Sequence, residues 1–149
     1  MNQLEPLNQQ NLIGLDSYFL DLVRLYEANT YPNKLLLSGQ KGIGKSTLAY
    51  HFINFVLSKN EVFKYDLENF KINSESSTFQ TILNKSNTNL TTIDNNSDKK
   101  YIDINQIREL INNLNKSSFN KKPRFVLIDN IELLNVNSIN ALLKVLEEP

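Results

Sequence analysis

The amino-acid sequence predicts an α/β fold with a mainly parallel sheet. Two short apolar runs, Lys34–Ser38 and Arg124–Asp129, have the length and composition of strands that are buried on both faces. A glycine-rich turn and then a helical pattern follow the first run, and a further helical pattern follows the second. Strands that alternate with helices in this way favour a parallel sheet with helices on its faces.

The first helix is predicted within Leu12–Ala28, because apolar residues recur there at the spacing of one helix face. Asp16 or Ser17 is a suitable first residue, and Tyr31-Pro32-Asn33 ends the pattern. The second helix is predicted over Lys45–Leu57. Its apolar side is expected to consist of Leu48, Phe52, Phe55 and Val56.

The middle of the chain, residues 59–100, gives weaker signals because it is rich in Asn, Ser, Thr and Lys. We predict a short helix near Thr78–Asn84 and a strand near Asn89–Ile93. The composition alone is compatible with partial disorder, whereas four aromatic side chains favour packing. These aromatic residues are Phe63, Tyr65, Phe70 and Phe79. Two further helices are predicted at Ile104–Leu114 and Ile139–Leu146.

The overall composition narrows the class of protein. The 149 residues carry 16 basic and 16 acidic side chains, so the net charge gives no indication of a nucleic-acid or membrane partner. The absence of cysteine excludes disulfides and thiolate zinc sites. No signal-peptide pattern and no apolar run near the roughly 20 residues of a membrane span are present, so we expect a soluble, cytoplasmic protein. The single histidine, His51, is expected to have a structural role at the surface or half-buried.

A phosphate-binding motif occupies Gly39–Ser46, which reads GQKGIGKS and fits the pattern G-x-x-x-x-G-K-[ST]. In such a loop, successive backbone N–H groups point at phosphate oxygens, and the positive end of the following helix adds to the site. We expect the Lys45 ammonium to reach the β- and γ-phosphates and the Ser46 hydroxyl to ligate Mg²⁺. The nucleotide-binding residues predicted here are Gly39, Gly42, Ile43, Gly44, Lys45, Ser46 and Thr47. A chance glycine turn and a degenerate, empty loop are the alternatives.

The second apolar run ends at Asp129, which is followed by Asn130. A carboxylate at the end of such a strand is suited to hold the Mg²⁺ of a bound nucleotide, and an ordinary turn aspartate is the alternative. A general base beside the attacking water contributes roughly 10²–10⁴-fold to hydrolysis. Because the amide of Asn130 cannot take the water's proton, we expect weak or absent hydrolysis unless another residue or subunit supplies the base.

Several segments together resemble a known family. SGQKGIGKSTLAYHF and NSINALLKVLEEP resemble the clamp-loader branch of the AAA+ ATPases, and within it most resemble delta-prime subunits of bacterial DNA polymerase III. The most family-specific stretch is ALLKVLEEP, Ala141–Pro149, and the segments SNTNLTTI and NLIGLDSYFLDL also resemble family patterns. In that family the backbone around Leu12, Ile13 and Gly14 borders the adenine. The resemblance therefore adds Ile13 and Gly14 to the expected nucleotide-binding residues.

This resemblance implies a P-loop NTPase fold of the AAA+ type, with three α/β/α layers, ATP and Mg²⁺ as cofactors, and no zinc. It also implies a subunit of a ring that opens the sliding clamp and places it on primed DNA, with gamma/tau and delta subunits as partners. Delta-prime is described in that family as a rigid stator with poor or no hydrolysis, which agrees with Asn130. An active gamma/tau-type ATPase or another AAA+ ATPase is the first alternative. A metabolic P-loop kinase is the second, and the ALLKVLEEP tail disfavours it.

The resemblance further implies that residues 1–149 form a partial AAA+ nucleotide-binding domain. Family members continue into a sensor strand, an arginine-finger motif, a helical lid and a C-terminal collar domain. The sensor strand would lie between the Lys34–Ser38 strand and the Asp129 strand, so we expect these two strands not to pair directly. We also expect a fragment that folds poorly alone, since the strand edges beside the gap would present unpaired backbone groups.

Overall fold

The computed structural model describes residues 8–29, 44–93 and 125–128, together with single positions at 105, 109, 123, 140 and 144. The elements with described bounds are α1 Asp16–Glu27, α2 Lys45–Leu57, α3 Ser77–Leu83, β1 Leu90–Ile93 and β2 Phe125–Ile128. They fall into two compact units, Met1–Asn87 with these helices and Thr88–Pro149 with these strands. Among the described residues, no helix is long and apolar enough to cross a membrane.

α1 begins at Asp16, one of the two predicted start residues. Its buried side chains are Phe19, Leu22 and Val23. Their i, i+3 and i+4 spacing places them on one face of the helix, as predicted. The backbone N–H of Ala28 donates to the Arg24 carbonyl at 3.0 Å, and Asn29 then adopts a left-handed conformation (φ 57°). A left-handed residue of this kind is a common helix end, because it turns the chain away from the helix axis.

α2 has the predicted bounds, and every residue from Tyr50 to Leu57 is buried. The four residues predicted on its apolar side are buried as expected, and His51 and Asn54 on the other sides are buried as well. A helix that is surrounded by protein on all sides lies in the interior of its domain. The other helices of the first unit, α1 and α3, both contact α2.

The aromatic side chains of the first unit form a cluster around Phe19, which is fully buried. Its ring centroid lies 5.3 Å from that of Tyr65 and 5.9 Å from that of Phe70. Aromatic pairs at such distances contribute roughly 0.5–1.5 kcal/mol beyond the burial of their area. Of the four aromatic residues expected to pack, Tyr65 and Phe70 join this cluster and Phe79 is buried. Phe63 differs, since it is 43% exposed.

The connection between α2 and α3 is a turn region held by hydrogen bonds. Its composition alone was also compatible with partial disorder. The Tyr65 N–H donates to the Ser58 hydroxyl oxygen at 3.0 Å. Asp66 and Lys71 exchange both of their backbone N–H···O bonds, at 2.9 and 3.1 Å. Asn69 donates from its side chain and its backbone to the Asp66 carboxylate, and these bonds hold the pKa of Asp66 below its usual value. Hydrogen bonds from local polar side chains therefore shape this turn region. The spacing of apolar residues alone could not predict it.

α3 begins one residue before the predicted start, and side chains close its first turn. The Ser76 hydroxyl oxygen accepts from the Phe79 N–H at 3.3 Å, while the Ser76 hydroxyl donates to the Glu61 carboxylate at 3.0 Å. Glu61 also accepts from the Thr78 backbone N–H at 3.3 Å and from the Thr78 hydroxyl. A carboxylate at this position satisfies backbone donors and complements the positive end of the helix.

The second unit contains a parallel pair of strands, β1 and β2, in which Leu90 lies opposite Phe125. The Phe125 N–H donates to the Asn89 carbonyl at 2.7 Å, and the Asn89 side chain donates to the Pro123 carbonyl at 3.2 Å. Both strands lie where they were predicted, and their parallel direction agrees with the α/β class. The described residues at 105, 109, 140 and 144 are helical and fall within the two remaining predicted helices.

Several predicted features lie outside the described residues. They are the strand at Lys34–Ser38, the loop Gly39–Ile43, the acid Asp129 with Asn130, and the expected gap beside the sensor strand. Each of them stays a prediction.

Candidate functional site

Gly44 joins the phosphate-binding motif to α2. It is the residue that precedes the first turn, and its backbone is left-handed, with φ 93° and ψ 24°. Residues with a side chain lose roughly 1–2 kcal/mol in this conformation, whereas glycine does not. The Gly44 carbonyl accepts the first helical hydrogen bond from the Leu48 N–H, at 2.9 Å. The glycine before Lys45 is therefore required by the local backbone.

The first turn of α2 carries three of the predicted binding residues, Lys45, Ser46 and Thr47, and all three are partly exposed. Gly44 provides no capping side chain, and the turn contains no acidic residue. Backbone N–H groups at a helix start carry partial positive charge, which favours an anion. With the ammonium of Lys45 and the hydroxyl of Ser46, this donor set fits the phosphates of a nucleotide together with an oxygen-ligated Mg²⁺.

Ile13 and Gly14 lie in the segment that leads into α1. Gly14 is left-handed (φ 80°), and a Cβ atom added to it would meet no other atom within 4 Å. Ile13 is 85% exposed, whereas the preceding Leu12 is buried, with 6% of its surface exposed. The segment therefore presents an exposed apolar side chain and an open length of backbone at the place where the family resemblance expects the adenine.

The two groups of predicted residues come together at Leu15. A Cβ atom built on Gly44 would lie 3.2 Å from Leu15 Cδ1, so the residue after Gly14 packs against the residue before Lys45. The residue pattern alone gave no reason to join these two parts of the chain, and only the family resemblance did so. Their proximity in the structure is the main geometric feature of the candidate site.

The stretch before Ile13 is held by backbone pairing with a distant part of the chain. The Leu12 N–H donates to the Phe70 carbonyl at 3.0 Å, and the Ile72 N–H donates to the Gln10 carbonyl at 2.9 Å. A single antiparallel bridge joins the two stretches between these bonds. Sequence reasoning missed this pairing, because neither stretch is long enough to carry a strand pattern.

His51 joins the same stretch to α2 from inside the domain. It is fully buried, so the prediction of a surface or half-buried position is wrong, although its contacts are structural as expected. Its Nε2 lies 2.8 Å from the Gln9 carbonyl oxygen, and its Nδ1 lies 2.7 Å from the Tyr65 hydroxyl oxygen. A carbonyl can only accept, so Nε2 carries the proton and Nδ1 accepts from the Tyr65 hydroxyl.

Burial determines the protonation of this pair. It lowers the pKa of His51 to about 4, against the smaller opposing effect of the hydrogen bond to Gln9. Burial also raises the pKa of Tyr65, with smaller contributions from the charges of Asp66 and Asp16. The imidazole and the phenol are therefore both neutral near neutral pH, which is the state that the two hydrogen bonds require.

The remaining predicted site residues cannot be placed in this geometry. Gly39, Gly42, Ile43 and Asp129 lie outside the described residues, so their roles stay predictions. The role of Ser46 as a Mg²⁺ ligand also stays a prediction. In the described part of the chain, no group of three or more His, Asp or Glu side chains is arranged to hold a metal ion by itself.

Comparison with known proteins gives two matches. A family model described as "DNA polymerase III, delta subunit" matches residues 15–149. The DNA polymerase III subunit gamma/tau of Mycoplasma genitalium (strain ATCC 33530 / DSM 19775 / NCTC 10195 / G37) is 27% identical over 143 residues. That alignment covers 96% of this chain but only 22% of the relative, so the chain spans about a fifth of the length of the protein it matches. Since the family model covers most of the chain, the protein belongs to the clamp-loader family of DNA polymerase III subunits that this model describes.

Proposed function

We propose that the protein is a delta-prime-type clamp-loader subunit that binds ATP with Mg²⁺ and hydrolyses it weakly or not at all. The observation that carries this proposal is the contact between Leu15 and Gly44, which sets the Ile13–Gly14 segment beside the start of α2. A base-side surface and a phosphate-side helix start thus adjoin, as a nucleotide requires. Membership of the clamp-loader family supports ATP rather than another phosphate compound.

Each part of the site has a separate task in this proposal. The first-turn N–H groups of α2 and the Lys45 ammonium hold the phosphates, while Ile13 and Gly14 border the base. Ser46 and Asp129 are the proposed ligands of Mg²⁺, which neutralises phosphate charge when it is bound. Gly39, Gly42, Ile43 and Thr47 are proposed to complete the binding loop.

The extent of hydrolysis depends on Asn130 in this proposal. Its amide orients a water molecule but cannot remove the proton, so turnover lacks the roughly 10²–10⁴-fold contribution of a general base. An active gamma/tau-type ATPase is the second candidate, because the relative in Mycoplasma genitalium is a gamma/tau subunit. In that case another residue or a neighbouring subunit would have to supply the base.

The proposed setting is a cytoplasmic ring of DNA polymerase III subunits that acts in DNA replication. Gamma/tau and delta subunits are the proposed partners, and the sliding clamp and primed DNA are reached through the assembly. The proposed fold is the three-layer α/β/α domain of AAA+ proteins, with which the parallel pairing of β1 and β2 is compatible.

Calorimetric titration of the full-length protein with Mg·ATP tests the binding, and steady-state ATP hydrolysis tests the turnover. We expect wild-type protein to bind ATP and the Lys45→Ala variant to lose binding by about tenfold or more, because a charged partner of the phosphates is removed. Slow hydrolysis, alone and in the assembled ring, would support the delta-prime type. Turnover fast enough for clamp loading that Lys45→Ala abolishes would support the gamma/tau type, and failure of the wild type to bind would refute nucleotide binding.

A further inference from the structure

We propose that His51 is a positioning residue of the nucleotide site, which holds the base-side segment, Gln9–Leu15, in register with the phosphate-side start of α2. This inference rests on the proposed function and assigns a further residue to the same site. The role proposed for His51 is to position the segment, not to contact the nucleotide. Its effect is transmitted through the Gln9 carbonyl, to which its Nε2–H donates at 2.8 Å.

The base-side segment is attached to α2 at both of its ends. At the first end, Gln9 is bound by His51, which lies within two turns of Lys45 on the same helix. At the other end, Leu15 packs against Gly44, where α2 begins. Since a helix is stiff over two turns, the two attachments fix both ends of the segment to one rigid element. The exposed Ile13 and Gly14 lie between them.

A second route joins the same elements through the turn region. Tyr65 donates its hydroxyl hydrogen to His51 Nδ1 at 2.7 Å, and its ring packs against Phe19 of α1. Shortly after Tyr65, the chain pairs with the base-side segment through the carbonyl of Phe70 and the N–H of Ile72. His51 thus lies where α2, the turn region and the base-side segment meet.

Histidine is well suited to this position because the two neighbours require opposite hydrogen-bonding groups. The Gln9 carbonyl needs a donor and the Tyr65 hydroxyl hydrogen needs an acceptor, and a neutral imidazole provides both on one rigid ring. The His51 side chain is fully buried and its bond to Tyr65 lies in the interior, so a residue that lacks either hydrogen-bonding group leaves a partner without its bond. An apolar residue here would remove the hydrogen bond from α2 to the Gln9 carbonyl while leaving Lys45, Ser46 and their backbone unchanged.

Comparing ATP with its phosphate part alone distinguishes a positioning role of His51 from a general loss of stability. Inorganic tripolyphosphate occupies the phosphate side alone, whereas ATP occupies the phosphate side and the base side. We expect His51→Leu to weaken binding of Mg·ATP to the full-length protein by about tenfold. Binding of Mg·tripolyphosphate should change by less than about twofold, since the first turn of α2 is unaltered.

Two further variants control the interpretation. His51→Gln keeps an amide N–H within reach of the Gln9 carbonyl and should recover most of the ATP affinity. Tyr65→Phe removes the other hydrogen bond of the same imidazole but keeps the bond to Gln9, so its ratio of ATP to tripolyphosphate affinity should stay at the wild-type value. If His51→Leu does not fold, His51→Asn takes its place, because its shorter side chain does not reach Gln9.

The affinities are measured by calorimetry at neutral pH on variants that melt cooperatively. A selective loss of ATP affinity in His51→Leu or His51→Asn, with recovery in His51→Gln, establishes the positioning role. Equal losses for ATP and tripolyphosphate, or no loss for either, refute it and leave His51 as a core residue only. If wild-type protein binds neither compound, the proposed function itself has failed, which is a different outcome from failure of this inference.

Discussion

The helices α2 and α3 begin in opposite ways. At the start of α3, the side chains of Ser76 and Glu61 accept the hydrogens of the first turn, so the turn is closed by the protein itself. At the start of α2, a left-handed glycine stands in the capping position, without a side chain to close the turn. A capping side chain typically contributes about 1 kcal/mol to stability, which α2 lacks at this position. The start of α3 is thus closed by hydrogen bonds within the protein, whereas the start of α2 has the form that the proposed binding of a phosphate group requires.

The largest expected effect concerns the closed helix start. Glu61→Ala removes the acceptor of three hydrogen bonds, from the Ser76 hydroxyl and from the backbone and hydroxyl of Thr78. Because Ser76 and Thr78 are buried, their donors would lose partners that water cannot fully replace, at a cost of about 3 kcal/mol in the free energy of unfolding. Urea unfolding followed by circular dichroism measures this cost.

The control for this prediction is the affinity of the Glu61→Ala variant for ATP. If the two helix starts have separate tasks, Glu61→Ala should bind ATP as wild type does at temperatures where it is folded. A loss of ATP affinity as large as that of Lys45→Ala would contradict the separation. Unchanged stability would show that the Glu61 carboxylate does not close α3 in solution.

The next largest effect is a loss of stability in acid that depends on the buried His51. The pKa of His51 falls from its ordinary 6.5 to about 4 in the folded protein, so below pH 6.5 the unfolded chain binds a proton that the folded chain does not. The contribution of neutral His51 is therefore complete above pH 6.5 and is lost as the pH falls toward 4. Between pH 6.5 and 5 the loss should amount to about 2 kcal/mol.

A comparison with His51→Leu isolates this contribution, because the carboxylates that also titrate in acid are shared by both proteins. The difference in unfolding free energy between wild type and variant should shrink as the pH is lowered through this range. Tyr65 adds no slope there, since burial raises its pKa far above the range. A difference that is independent of pH would mean that His51 is exposed to water in solution.

The contrast between the helix starts also explains which parts of the fold the sequence could predict. α2 was predicted with its correct bounds, because the glycine, lysine and serine that begin it are adjacent in the chain and have a local mechanism. The strand β2 was predicted because it is an apolar run, whereas β1, whose sequence LTTI is half threonine, was predicted in the right place on a weaker signal. Local chemistry of this kind can be read without knowing the rest of the fold.

Long-range attachments could not be predicted in the same way. The buried position of His51 depends on Gln9 and Tyr65, which lie far from it in the chain and carry no recognisable spacing. The closing of α3 by Glu61 is similar, because the carboxylate comes from the preceding turn region rather than from the first turn of the helix. In both cases a common polar residue acquires its role only when distant backbone groups are brought to it. The contacts that join the base-side segment to α2 were thus missed, whereas the residues proposed to form the surface of the site come from local motifs and from the family resemblance.

The smallest expected effect tests the open helix start directly. Gly44→Ala places a side chain on a backbone with φ 93°, which should lower the free energy of unfolding by about 1–2 kcal/mol. Gly14→Ala is the matched variant, because Gly14 is also left-handed but its Cβ would meet no atom within 4 Å, whereas the Gly44 Cβ would lie 3.2 Å from Leu15 Cδ1. We expect similar losses of stability, measured by urea unfolding, since the flexible Leu15 side chain can rotate away.

The two alanine variants should differ in what they bind. Gly44→Ala alters the backbone from which the first-turn N–H groups extend, so it should weaken both Mg·ATP and Mg·tripolyphosphate in calorimetric titration. Gly14→Ala alters only the base side and should weaken ATP alone. If Gly44→Ala were as stable as wild type and bound both compounds normally, the left-handed start of α2 would be incidental, and the distinction between a helix start built for stability and one built for a ligand would not hold.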